Sequence, residues 1–482
     1  MFEKIQGIIK TTLKRDYAKA IILYVLANII GQGVVLFSSS LFTRIMSKAD
    51  YGLVNTYSTW VLVLNTFICL NLFITVRTAY VDFKDDYDNY NSSILFLSIT
   101  IGIAMSCIIC GITQFAGLEI GAYEVLLACV QSVALNVINF SLAVQSMKNE
   151  YKKRAFLIIA PNWTHILASI VLMILFSGNL YIAKITGNAL GLLLFGIIGA
   201  VVYFIKSKPR IIPKYWKYAL LISVPSIFVT LSDLLLMQCD RLMLTSMVGA
   251  EETAEYSVVY NVSSIIIVIY QAINGAWLPW FFEKVGNDDK ETTIKYQKIY
   301  LLVFSAFTCS MMTISPELIK ILSRNDYWDG IRYASPLAIA SYFVFLYAFF
   351  TNYLLYKKNT TRIAVNTVIA TLLNLMLNYV LIPQYKAVGA VIATAISYAL
   401  LFILHLLAIW KDGKQYFSIS AMMLNLVGIA CFGVIVYFVR NIWIMRYSLF
   451  IILIILLYIT NGKRIMSEAL NGSPLSSSNS HR

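Results

Sequence analysis

About fourteen apolar stretches, each ~18 to nearly 30 residues long, run through this chain almost end to end with short charged loops between them. A hydrocarbon layer about 30 Å thick needs ~20 apolar residues at ~1.5 Å rise each. Most of these stretches can therefore cross a bilayer with some tilt. Hydrophobic residues make up 59% of the composition, charged residues 13%, and the mean hydropathy is +0.74. A soluble domain of this size needs a far more polar surface. The expected fold class is an all-α integral membrane protein with about 14 transmembrane helices.

The first six spans are expected near residues 18–43, 51–76, 90–113, 118–147, 155–176 and 181–205. A basic loop, 206–217, leads to the next six near 218–246, 254–282, 299–322, 331–356, 363–382 and 387–410. Two more, near 417–439 and 442–460, close the membrane part, and the Ser- and Asn-rich tail from 461 reads as disordered. The domain reading is an N-terminal lobe 1–209, a C-terminal lobe 210–410, an added helix pair 411–464 and a tail 465–482.

Lys and Arg set the orientation. With the N-terminus inside, 28 of the 38 fall in cytoplasmic segments and seven in external loops, among them Arg44, Lys48 and Arg446. Lys184, Arg241 and Lys320 complete the count within or at the edge of helices. This positive-inside bias places both termini in the cytoplasm. It also accounts for the net charge of +14 without nucleic acid as a partner. The first apolar stretch is too long for a signal peptide's core, so no cleaved leader is expected. Residues 1–15 alternate basic and apolar positions, as either an amphipathic surface helix or a charged leader does.

All seven cysteines lie in expected spans and read as small packing residues. Cys107 and Cys110 have a metal clip's spacing, yet nothing near them in sequence completes a ligand set, so no metal site is expected. Only three histidines occur, His165, His405 and His481, too few for an evident His/Asp/Ser catalytic group.

The chain reads as doubled. Ala49-Asp50-Tyr51 recurs as Ala254-Glu255-Tyr256, 205 residues on, and Arg154 before the fifth span recurs as Arg362 before the eleventh, 208 residues on. Two six-helix halves with an even number of spans share one orientation, about a pseudo-two-fold along the membrane normal.

The run Lys357-Lys358-Asn359-Thr360-Thr361-Arg362, then Asn374 and "NYVLIPQYKAVGAVIATAISY" over 378–398, resembles the polysaccharide-transporter flippases. So do Arg44 with "SKADYG" at 47–52, and Asp240-Arg241 ahead of "AEYSVVYNV" at 254–262. These flippases belong to the multidrug/oligosaccharidyl-lipid/polysaccharide exporter superfamily, and the resemblance covers essentially the whole chain. It implies a non-enzymatic transporter of the bacterial plasma membrane. The implied task is moving an undecaprenyl-pyrophosphate-linked O-antigen or capsule repeat unit from the inner to the outer leaflet, by alternating access of two lobes. Membrane lipids and other polysaccharide-assembly proteins are the implied partners. No cofactor is expected, and coupling to H+ or Na+ stays open.

Such a cargo has an anionic head and hydrated sugars that the bilayer core rejects. Arg44, Arg77, Lys184 and Arg241 are the cationic candidates for its phosphates, since charges placed in spans usually face a cavity. Snorkelling competes for Arg44, Arg77 and Lys184, and an ion pair with Asp240 competes for Arg241. Polar side chains at helical spacing suit sugar hydroxyls: Asn28 and Gln32; Glu124, Gln131 and Gln145; Gln271 and Asn274; Asn366, Asn374 and Asn378. For each, ordinary interhelical hydrogen bonding is the competing role. Asp233, eight residues past Pro225, is expected to be the most buried acid and a candidate for cation coupling.

Two alternatives stand beside this reading. A multidrug and toxin extrusion antiporter would want acids in its N-terminal cavity, for which Glu124 is the clearest candidate. A membrane-embedded polysaccharide polymerase would want a sizeable external loop, and the loops here are a few residues long.

Overall fold

A computed structural model describes residues 30–31, 33–115, 121–148 and 150–457. Every regular element among them is helical, and no strand occurs among the described residues. The helices are α1 (Gly33–Ile45), α2 (Lys48–Ile68), α3 (Thr75–Asp82), α4 (Tyr87–Phe115), α5 (Ala122–Met147), α6 (Tyr151–Leu175) and α7 (Leu180–Lys206). They continue as α8 (Pro213–Met247), α9 (Ala250–Gly286), α10 (Lys290–Leu322), α11 (Ala334–Tyr356), α12 (Thr360–Tyr385), α13 (Ala387–Ile409), α14 (Ile419–Phe438) and α15 (Trp443–Leu457).

Among the described residues, eleven helices are long and apolar enough to cross a membrane, or twelve when α2 and its bent continuation count as one span. The shorter helices α1 and α15 lie where the first and last spans were expected. Large apolar side chains point outward along the helices, as in Ile174 (75% exposed), Leu424 (74%) and Phe438 (76%). A bilayer is the solvent that tolerates such a surface. The chain is an all-α, multi-pass membrane protein.

The helix boundaries have local causes. Ser47 accepts a hydrogen bond from the Asp50 N–H at 3.0 Å and starts α2. Asn179 does the same for α7 through the Ile182 N–H, also at 3.0 Å. Pro213 opens α8, where its missing N–H costs nothing. Gly249, at φ +133°, makes the turn from α8 into α9 with a backbone that a side chain would strain.

The second span, expected to run straight through 51–76, is broken instead. Leu70 and Asn71 sit at φ +50° and +53°, and the chain bends by 69° between α2 and the segment Leu72–Asp82. Asn tolerates this left-handed conformation, whereas Leu is strained in it. Tertiary contacts hold the break: Asn71 Nδ2 donates to Ser226 Oγ (3.1 Å) and Thr230 Oγ1 (2.8 Å) of α8.

The chain forms two compact units. One contains the described residues up to Asn261 with Leu322–Tyr327 and Thr367–Ala393; the other contains Val262–Ile321, Trp328–Asn366 and the described residues from Thr394 on. In the first unit, the basic loop expected over 206–217 shortens to 207–212 and is tied to α4. Ser92 Oγ donates to the Ser207 carbonyl (2.5 Å), Ser93 Oγ to the Arg210 carbonyl (2.7 Å), and Trp216 Nε1 to Ser93 Oγ (3.1 Å). The second unit buries an aromatic cluster in which Phe304 and Phe345 have ring centroids 4.1 Å apart.

Candidate functional site

Among the described residues the most deeply buried acid is Asp240, only 1% exposed, and not Asp233. Asp233 lies on the exposed surface of α8, seven residues and nearly two turns earlier. Asp240 accepts hydrogen bonds from Asn378 Nδ2 of α12 at 2.6 Å and from the Tyr256 hydroxyl of α9. Asn378 Nδ2 also reaches Asn374 Oδ1 at 3.1 Å, and the Cys239 thiol donates to that same oxygen at 3.0 Å. The spacing of four between Asn374 and Asn378 puts both amides on one helical face. Both are fully buried, and Asn378 Oδ1 and Asn374 Nδ2 have no hydrogen-bond partner. Burying an unpaired amide atom is costly, so this cluster is a place where the fold accepts a penalty.

Arg241 turns the other way, as adjacent helical positions must. Its guanidinium donates to Gln238 Oε1 and to Asn261 Oδ1 (3.3 Å), and its carbon lies 4.8 Å from the Tyr260 ring centroid. The expected alternative of an Arg241–Asp240 pair gives way to amide and cation–π contacts. Cys239, Asp240, Tyr256, Asn374 and Asn378 thus gather in one place side chains from α8, α9 and the distant α12.

The remaining candidates separate. Arg44 and Arg77 are exposed at the end of α1 and within α3. Lys184 is 4% exposed, which excludes snorkelling; its ammonium contacts Asn188, Ser169 and the Phe42 ring. Glu124 reaches back to the Gly121 N–H at 3.1 Å and so starts its own helix, where an anion also favours the dipole. Gln131 is buried and accepts from the Tyr57 hydroxyl at 3.0 Å, an α2–α5 bond. Asn274 accepts from Asn352 Nδ2 at 2.8 Å, whereas Gln271 is exposed. Asn28 and Gln32 lie outside the described residues.

The sequence reading missed two features. The two recurring motifs meet in space. Lys48 of α2 forms an ion pair with Glu255 of α9, and Thr56 Oγ1 lies 2.5 Å from Thr245 Oγ1. A Cβ on Gly52 would fall 1.8 Å from the Ala250 carbonyl oxygen, so only glycine fits that crossing. The recurrence of Asp50-Tyr51 as Glu255-Tyr256 was the available signal. The second feature is Arg446, counted among external charges but 1% exposed in α15. It forks onto Glu317 of α10, Nη1 to Oε2 at 2.9 Å and Nη2 to Oε1, and Nη1 also reaches the Thr313 carbonyl.

Among the described residues, no group of three or more His, Cys, Asp or Glu side chains could hold a metal ion. Outside the spans, the α9–α10 turn carries perturbed acids. The Tyr416 hydroxyl, then Lys290, holds the Asp288 carboxyl below its ordinary range, and Lys284 does so for Asp289.

Comparison with known proteins places this architecture. The model of the polysaccharide biosynthesis protein family matches residues 17–285, over half of the chain, and the MatE family model matches 225–380. The chain belongs to the polysaccharide biosynthesis protein family, within the multidrug/oligosaccharidyl-lipid/polysaccharide exporter superfamily. A relative from Haloferax volcanii, the probable low-salt glycan biosynthesis flippase Agl15, is 29% identical over 201 residues. That match spans 40% of this chain and 40% of the relative.

Among solved structures, the lipid II flippase MurJ in an inward closed conformation is similar with a TM-score of 0.70 and 16% identity, over 92% of this chain and 100% of that one. A superfamily transporter from Pyrococcus furiosus is similar with a TM-score of 0.54 and 16% identity, over 81% of this chain and 96% of that one. At such identities the likeness is one of fold.

Proposed function

We propose that the chain is a flippase that carries a lipid-linked glycan across the membrane. The observation that carries this reading is the family match, and the flippase relative and the MurJ-like fold point the same way. The finer reading is an undecaprenyl-pyrophosphate-linked O-antigen or capsule repeat unit, moved from the inner to the outer leaflet of a bacterial plasma membrane. Both termini would lie in the cytoplasm, and other polysaccharide-assembly proteins would act before and after the step.

The exposed Arg44 and Arg77 and the half-buried Arg241 are the proposed phosphate contacts, Arg being able to engage two phosphate oxygens at once. Gln271, exposed on α9, is the proposed sugar contact. Alternating access would move the repeat halves, 1–209 and 210–410, against each other, with 411–464 as an added pair. The Lys48–Glu255 pair and the Gly52–Ala250 crossing tie the two halves together in this conformation. Transport would then require them to part.

An anion leaving a negative interior gains about 2.3 kcal/mol per charge per 100 mV, so ion coupling need only supplement that drive. Where H+ or Na+ contributes, buried Asp240 with its two amides is the better placed acid, ahead of Asp233. The antiporter alternative loses support where Glu124 is engaged in starting α5.

Complementation of a flippase-deletion strain with defined repeat units tests the reading. Restored surface glycan that falls at least tenfold with Arg241→Gln, at equal expression, is the expected result. Resistance to organic cations without restored glycan would favour the antiporter.

A further inference from the structure

Lys184 is the one candidate cation that the proposed transport route leaves without a task. It stands on α7 with Asn188 one turn further on, and α6 packs against them almost without a gap. A Cβ on Gly187 would fall 2.4 Å from Ser169 Cα, and one on Gly191 would fall 2.4 Å from His165 Cα. This approach, of the small-residue kind common between membrane helices, presses His165 and Ser169 against Lys184 and Asn188.

One atom serves all of them. Asn188 Oδ1 lies 3.1 Å from Lys184 Nζ, 3.1 Å from His165 Nδ1 and 3.3 Å from Ser169 Oγ. A carbonyl oxygen has two lone pairs, so three donors oversubscribe it. Ser169 has other acceptors, the His165 carbonyl at 2.7 Å and the Lys184 carbonyl at 3.2 Å, and can withdraw. Lys184 and His165 remain, two nitrogen bases at one neutral oxygen. The rest of the ammonium's surroundings is the Ser169 hydroxyl, 3.5 Å away, and the Phe42 ring, whose centroid is also 3.5 Å away. A ring face favours one cation and offers nothing to a second.

The acids of the neighbouring elements are engaged elsewhere. On α2, Asp50 accepts from Ser47 Oγ at 2.7 Å, and the Tyr57 hydroxyl donates to Gln131. On α5, Glu124 holds the Gly121 N–H, and the Tyr123 hydroxyl lies 2.9 Å from Thr186 Oγ1. Tyr181 on α7, Cys129 on α5, Cys107 and Cys110 on α4, and Arg44 on α1 are further titratable or charged groups carried by these elements. On α6, Tyr151, Lys152, Lys153 and Arg154 stand at its first turn, about three turns from His165. Among these neighbours, no carboxylate is bonded to the cluster.

The geometry points to a proton-binding site in the N-terminal half, at which Lys184 and His165 hold a single positive charge between them through Asn188. Proton arrival at one base disfavours it at the other. A change of owner also changes which donor Asn188 and Phe42 retain, and so the grip of α7 on α6 and α1. As a device for coupling or pH control of transport it rests on the flippase reading; as a proton site it does not.

The chain has only three histidines, so nitrogen-15 histidine NMR of the purified protein in nanodiscs, with His405→Gln and His481→Gln, isolates His165. Lys184→Met should raise the His165 titration midpoint by at least one pH unit. Lys184→Arg, which keeps a permanent charge, should leave the midpoint at or below its original position. Equal midpoints in the Met and Arg variants would overturn the site, because a purely structural lysine would give that result. A second readout is the pH profile of glycan transport, expected to shift in Lys184→Met alone. A profile that stays put while the NMR shift appears would remove the coupling and leave the proton site standing.

Discussion

Among the described residues two Lys or Arg side chains are buried, one in each compact unit, and the fold treats them oppositely. Arg446 meets a carboxylate with both ends of its fork and a backbone carbonyl besides. Lys184 meets an amide oxygen, a hydroxyl and a ring. A guanidinium keeps its charge and needs a permanent partner once taken from water. An ammonium can give its proton away, so a fold can bury it without a counter-charge. Arg446 therefore reads as an anchor that ties α15 to α10, and Lys184 as a group placed to exchange a proton.

The contrast can be broken most severely at the anchor. Glu317→Gln strands a buried guanidinium and should cost about 2–4 kcal/mol of stability, the lower end because Glu317 is one-third exposed. Thermal unfolding in detergent measures this. The pair Arg446→Met with Glu317→Leu should recover most of the loss, and a double variant as unstable as the single one would refute the anchor.

Lys184→Met should cost less than about 1.5 kcal/mol in the same assay, since it removes a charge instead of exposing one. A loss as large as that of Glu317→Gln would erase the difference between the two cations.

The crossing of the repeated motifs is a third tie, made by Lys48 with Glu255 and by Gly52 against Ala250. Gly52→Ala should lower glycan transport at least tenfold at equal expression, because the added methyl meets backbone at 1.8 Å. Lys48→Met, which removes only the ion pair, should lower it two- to fivefold. Near-normal transport in Gly52→Ala would mean that the close approach is not required.

The smallest effect belongs to exposed charge. The Asp288 carboxyl is held below its ordinary range by Tyr416 and Lys290, so its contribution is present above the unfolded aspartate value of about 3.9 and is lost as pH falls through the folded value. Tyr416→Phe should therefore lower stability slightly at pH 7, converge with the parent at low pH, and so flatten stability against pH below about 4.

The long helices were legible in the sequence, because a span announces itself by length and apolarity alone. What escaped depended on distant partners. Nothing around Leu70 and Asn71 foretells a break that Ser226 and Thr230 hold from 155 and 159 residues away. An ion pair with Asp240 was only the competing role for Arg241; the partners of Asp240 on α9 and α12 take its place, and its burial displaces Asp233 as the most buried acid. Arg446 looked external because Glu317, 129 residues earlier, is what allows it inside. Glu124 and Gln131 were read as polar cavity positions, whereas capping and an interhelical bond engage them in this structure.

The central claim is that this chain carries a lipid-linked glycan between leaflets, and reconstitution tests it most directly. Purified protein in liposomes would receive a fluorescent polyprenyl-pyrophosphate oligosaccharide in one leaflet, with a membrane-impermeant quencher added outside. Protein-dependent loss of protection that weakens at least tenfold with Arg241→Gln is the predicted result. Protection identical in protein-containing and protein-free liposomes, across several glycans and with an ion gradient applied, would contradict the account.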